Sequence, residues 1–183
     1  MEAVFDNGTN LLNAHICARH DNSIIYSVTT TFGFWGQKMV TFLKDANPPL
    51  GESATVGAIN WRERYFEVYA QRRPISEIKR KEPISIQKAR YWKWSTDARE
   101  YQARFEKNEW QVQLVEEDSK EPVGSFSVSF RPHLIRKAKP PSLKLSRKAL
   151  ERDEVFLILL LIYLEAKRQE GSNFGPLAGT GAW

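Results

Sequence analysis

Hydrophobic and polar positions alternate through the middle of this chain and stop alternating near its end. "VGSFSVSF" places Gly124, Phe126, Val128 and Phe130 on one face and Ser125, Ser127 and Ser129 on the other. Period-two alternation marks a strand with one buried and one wet face, as in an antiparallel sheet. In "EYQARFEKNEWQVQLVEED", Tyr101, Ala103 and Phe105 share a face, Trp110, Val112 and Leu114 share another, and Lys107–Glu109 is the turn. Ser23–Phe32, Gln37–Asp45, Ala54–Trp61, Tyr65–Ala70 and Arg90–Trp94 are further β-branched and aromatic runs bounded by breakers. The count reaches eight to eleven short strands, spaced as in an all-β sandwich or barrel.

From about Arg152 the pattern becomes helical. Glu151, Asp153 and Glu154 precede the apolar run, Lys167 and Arg168 follow it, and Gly171 is suited to ending a helix. Val155–Leu164 is apolar without interruption. A membrane-spanning helix needs about 20 such residues, twice what this run supplies, so no transmembrane segment is expected. A surface helix would show a polar stripe, and none is present, which predicts a helix buried on all sides. In a chain otherwise made of strands, the sheet must do the burying. The expected fold is therefore mainly β, an antiparallel barrel of about twelve strands enclosing a hydrophobic helix over about 153–170. An α+β domain with the helix on one sheet face fits the periodicity equally well. Tyr163, the one hydroxyl in the run, needs a partner.

Composition adds bounds. One domain fits 183 residues. Residues 1–10 read as an N-terminal extension, 11–170 as the domain and 171–183, with four Gly and one Pro, as a flexible tail. A single cysteine excludes an internal disulfide framework and fits a reducing compartment. The first residues lack the apolar core of a signal peptide, so a cytoplasmic protein is expected, with peripheral-membrane or nuclear association. The net charge is +5, unevenly spread. Trp61–Ser95 carries ten Lys/Arg against four Glu, Arg131–Lys148 carries seven and no acid, and Asp97–Glu121 reverses the sign. Two basic segments converging in space would attract phosphate, anionic lipid or nucleic acid.

Four stretches, "NSIIYSVTTTF", "VGAINW", "ARYWKW" and "LKLSRKALERDEVFLILLLIYLEAKRQ", carry a resemblance. The chain resembles a group of uncharacterised fungal proteins assigned to the tubby C-terminal-like superfamily, which includes phospholipid scramblases and plant LURP-one-related proteins. In that group an acidic residue opens the final apolar helix, a place taken here by Asp153 or Glu154. The similarity spans about Leu11–Glu170 and implies a barrel around a hydrophobic helix. It further implies binding of phosphoinositides through surface Lys and Arg. The chain departs from scramblases in having no cysteine cluster for palmitoylation, no Asp-rich calcium loop and no Pro-rich N-terminal region.

The candidate site is accordingly cationic. One set is Arg72, Arg73, Lys79, Arg80 and Lys81, and the other is Arg136, Lys137, Lys139 and Lys144. Each Lys or Arg near an anionic surface is worth about 1 kcal/mol, screened by salt. The expected function is non-enzymatic binding of anionic ligands, a phosphoinositide or phospholipid surface first. A protein-interaction or regulatory module is second. Nucleic-acid binding is third, suggested by "KARYWKWS", though Trp92 and Trp94 share a face and read as core. No Gly-rich phosphate loop, serine elbow or paired-carboxylate motif occurs. "EEDSKE" reads as a solvated turn. His15 and Cys17 would share a strand face, with His20 close and His133 distant. Structural zinc needs four ligands, so neither a metal, a cofactor nor a catalytic thiol is expected.

Overall fold

The fold was obtained as a computed structural model, and the structure describes residues 1–80, 90–116, 121–128 and 139–172. Among the described residues thirteen strands form one sheet, antiparallel at every pairing. They are β1 (Glu2–Phe5), β2 (Ala14–Ala18), β3 (Ile24–Phe32), β4 (Lys38–Asp45), β5 (Thr55–Asn60), β6 (Tyr65–Val68) and β7 (Gln71–Pro74). A single helical turn, α1 (Ile75–Ile78), leads to β8 (Lys79–Arg80), β9 (Arg90–Lys93), β10 (Glu100–Glu106) and β11 (Glu109–Leu114). β12 (Gly124–Ser127) and β13 (Ser142–Leu145) follow, then α2 (Arg147–Leu150) and the long α3 (Glu154–Ser172).

The spatial order is β7-β6-β5-β4-β3-β2-β1-β13-β12-β11-β10-β9-β8. Among the described residues hydrogen bonding leaves β7 and β8 as the two edges, so the helix-on-sheet architecture fits as it stands. The two edge strands are nonetheless consecutive in sequence, joined only by α1, whose Ile75 and Ile78 are buried. The fold is mainly β, as expected, with the C-terminal helix against the sheet.

Local chemistry explains the turns. Lys107 and Asn108 both have positive φ (50° and 65°), the conformation of a two-residue type I′ hairpin whose twist matches its strands. The register then pairs Tyr101 with Leu114, Ala103 with Val112 and Phe105 with Trp110, so the two expected faces are one and the same face. Tyr69 and Ala70 (φ 46° and 62°) join β6 to β7 in the same way.

β1 lies within the stretch read as an N-terminal extension. Ala3 and Phe5 are buried, and the strand pairs with β13 on one side and β2 on the other. A stretch this short gives little periodicity to read, and its place is set by partners far along the chain. β12 departs from clean alternation: Gly124, Ser125 and Phe126 are all buried, and only Ser127 of the strand is partly wet. Ser129 and Phe130 lie outside the described residues.

Every residue from Val155 to Leu164 is buried. Tyr163 stacks on Trp61 beyond β5 and meets Phe66 of β6 and Trp92 of β9 edge-on. Phe156 packs against Phe66, Trp94 and Tyr101, the last from β10. A Cβ on Gly57 of β5 would lie 2.8 Å from Leu159 Cδ1 and 2.8 Å from Val155 Cγ1, so only a missing side chain lets the helix come this close. The helix thus touches strands from both halves of the sheet order. Among the described residues no helix is long and apolar enough to cross a membrane.

Candidate anion-binding surface

Both ends of α3 are pinned by polar contacts that the hydrophobic pattern does not reveal. At its start, Tyr101 donates its hydroxyl to Asp153 Oδ2 (2.6 Å), and Tyr26 hydrogen-bonds to Glu154. Burial pushes the Glu154 carboxyl above its usual range, Tyr26 partly opposing it. At the other end, Glu165 is buried to 1% exposure yet fully partnered. It accepts from Trp110 Nε1 (3.0 Å), from Arg168 through two nitrogens (both 2.8 Å) and from Gln169 (3.0 Å). A buried carboxylate is tolerated only with such partners. Burial also pushes Glu170 up, but hydrogen bonds from Lys167 (2.6 Å) and Lys38 (2.5 Å) more than offset it and hold it below its usual range.

The first cationic set straddles the gap between the sheet edges. Arg72 and Arg73 lie on β7, Lys79 and Arg80 on β8, with α1 between them. Arg72 is exposed, lies over the Tyr65 ring (5.2 Å to its centre) and donates to Glu67 Oε2 (2.6 Å). Arg80 lies over the Tyr91 ring (4.5 Å) and grips Glu100 with two donors, Nε at 3.0 Å and Nη2 at 2.8 Å. Lys79 Nζ is 5.7 Å from the centre of the Trp92 ring. A guanidinium stacked on an aromatic ring loses rotational freedom and presents a fork that suits carboxylate or phosphate.

The second set is elsewhere. Lys144, exposed on β13, pairs with Glu2 at 3.3 Å, and Lys139 is exposed ahead of the same strand. Four strands separate β13 from β8, on the order of 24 Å along the sheet at ~4.8 Å per strand. The two sets therefore do not converge through their described members. Lys81, Arg136 and Lys137 lie outside the described residues, as does His133.

The other sequence candidates resolve plainly. A bulge between Ile16 and Cys17 breaks the alternation of β2, leaving His15 exposed and Cys17 buried, so the expected shared face is lost. His15 Nδ1 is 2.7 Å from Asp6 Oδ2, and burial pushes the Cys17 thiol up. No group of His, Cys, Asp or Glu among the described residues could hold a metal ion. Trp92 is fully buried, and Trp94, half-buried, packs on Phe156. Of "EEDSKE", Glu116 and Glu121 are exposed and the residues between lie outside the description.

One feature of the surface escaped the sequence reading. The β3–β4 hairpin ends in a turn, Phe34–Gly36, that exposes Phe34 (81%) and Trp35 (87%), with Phe32 half exposed beside them. The two rings meet edge to face at 5.0 Å. Trp35 has φ 65° and ψ 22°, the left-handed region, where a residue with a side chain costs roughly 1–2 kcal/mol. Gly36 follows at φ 70°. The signal was present in "FGFWGQK", an aromatic pair bracketed by glycines where a hairpin turn is normally polar.

Fold and surface together define the class: an antiparallel β domain built on a buried C-terminal helix, with cationic sheet edges and an aromatic hairpin tip. The chain belongs to a family of unknown function, DUF6593, whose model matches residues 9–170. No curated protein and no solved structure matches the chain.

Proposed function

We propose that this protein is a non-enzymatic, peripheral binder of anionic phospholipid surfaces, phosphoinositides included, and that the cations at the sheet edges hold the headgroups. The observation that carries this reading is the pair Arg72 and Arg80. Both guanidinia are exposed and ring-supported, Arg80 holding Glu100 through two nitrogens and Arg72 holding Glu67 through Nε. An exposed ion pair is worth only about 0–1 kcal/mol, so a headgroup phosphate can exchange for Glu67 or Glu100 at little cost. Arg73 and Lys79 add charge on the same two strands. Such binding is reversible and acts wherever an anionic leaflet faces the protein, which suits a cytoplasmic or nuclear location.

The same reading includes the shape of the domain. The edge strands follow one another in sequence, α1 bridges them, and α3 meets strands of both halves. These features favour a sheet wrapped into a barrel around α3, the architecture that the resemblance to tubby-like proteins implies. In that arrangement α1 is the seam, and the edge cations sit on its two sides.

Vesicle co-sedimentation with edge variants tests the binding. On vesicles of phosphatidylcholine and phosphatidylserine in equal parts, Arg73→Glu and Lys79→Glu together should weaken retention by on the order of tenfold or more, at about 1 kcal/mol per charge removed. Glu100→Gln should strengthen it by removing a negative charge from the same surface. Retention unchanged in all of these variants would remove the edge strands from the binding surface.

A further inference from the structure

We infer that the β3–β4 hairpin tip is a membrane-inserting element, with Phe34 and Trp35 entering the interfacial layer of an anionic phospholipid surface. This rests on the binding reading above and adds the element that makes it more than electrostatic.

Exposure is the first ground. Phe34 and Trp35 turn more than four-fifths of their surface to solvent, in a core-rich protein that buries Trp92 and Trp110. Two large aromatic side chains left in water on one turn are costly unless something covers them. Geometry is the second. The residue that exposes its ring most, Trp35, sits in a left-handed backbone conformation that sequence-local preference opposes, and its ring is braced against Phe34. The turn therefore holds both rings outward together.

The neighbouring charge is the third ground. Trp61 N–H donates to Met39 O (3.0 Å) and Val40 pairs with Asn60, so the β5–β6 turn (61–64) lies at the same end of the sheet as the tip. That turn exposes Arg62 and Arg64, with Glu63 between them. Ile75 N–H donates to Arg64 O (2.8 Å) and Pro74 pairs with Tyr65, so β7 ends and α1 begins beside the same turn. Three strand spacings, on the order of 14 Å, separate the tip strand β4 from β7. Aromatic rings at headgroup depth with arginines alongside are the arrangement that a lipid–water interface favours.

A protein partner fits less well. A stable protein interface covers about 800 Å² on each side, with an apolar centre inside a polar rim. Here the apolar groups stand on a narrow projecting turn, which suits penetration of a soft layer.

The test uses the full chain and the same equal-part phosphatidylcholine–phosphatidylserine vesicles. The double variant Phe34→Ala, Trp35→Ala should fold as wild type, since both side chains are exposed, and should bind on the order of tenfold or more weakly. Brominated lipid should quench wild-type tryptophan fluorescence, and Trp35→Phe, retained on the vesicles, should lose most of that quenching. Wild-type retention with an unaffected double variant, or with quenching that survives Trp35→Phe, overturns the insertion and leaves the binding reading standing. Wild type that does not sediment with the vesicles overturns both. A dimer in solution that Trp35→Ala dissociates overturns the insertion in favour of self-association.

Discussion

Two carboxylates on the last helix, Glu165 buried and Glu154 half-buried, show how single residues trade stability for position. Glu165 is anchored by Trp110, Arg168 and Gln169 and fixes the register of α3 against β11. Glu154 is less fully compensated. Burial raises its affinity for a proton, Tyr26 and the N-terminal ammonium lower it, and Asp45 raises it again. Its folded pKa is thus above the ordinary 4.5, so between those values the folded protein binds more protons than the unfolded chain. Stability from this group is therefore lost as pH rises through that window. Glu154→Gln, which can still accept from Tyr26, should flatten that fall. Urea unfolding of both proteins from pH 4.5 upward should show the variant gaining relative stability with pH. A constant difference between the two would place the carboxyl's pKa shift elsewhere. Neither role is readable from the sequence, in which both residues simply flank an apolar run as helix-end charges do.

At the scale of elements, the contact between α3 and β5 is set by the absence of a side chain. Gly57 faces Leu159 and Val155, and Glu67 O lies 3.2 Å from where its Cβ would be. Gly57→Ala should overpack the interface and destabilise the fold by about 1–3 kcal/mol, read as a lower urea midpoint at unchanged slope. An unchanged midpoint would mean that the helix is free to move away from the sheet. Strong local signals survive into the structure at this scale. The apolar run becomes α3, the alternating stretches become β10 and β11, and the runs Ala54–Trp61 and Tyr65–Ala70 become β5 and β6. Weak signals do not. β1, β7 and β8 are short strands defined by their partners, and "EAVF", "QRRP" and "KR" carry no alternation long enough to mark them. The bulge at Ile16/Cys17 is likewise a product of pairing with β3, which is why a shared face for His15 and Cys17 looked reasonable on spacing alone.

For the whole molecule, the pairing order decides what charge counting along the chain could not. Four strands lie between β13 and β8 and six between β7 and β13, leaving Lys144 remote along the sheet from both Arg80 and Arg72. The same order brings the aromatic tip, Arg62, Arg64 and the start of α1 to one end. The surface proposed for lipid binding is thus partly one that the sequence named, at Arg72, Arg73, Lys79 and Arg80, and partly one only the fold assembles. The most direct measurement is sedimentation of the wild-type protein with vesicles over a range of salt. The account predicts retention on phosphatidylcholine–phosphatidylserine vesicles at low salt, progressive release as salt rises, and little retention on phosphatidylcholine alone. Protein that stays in the supernatant with the anionic vesicles at low salt would contradict it.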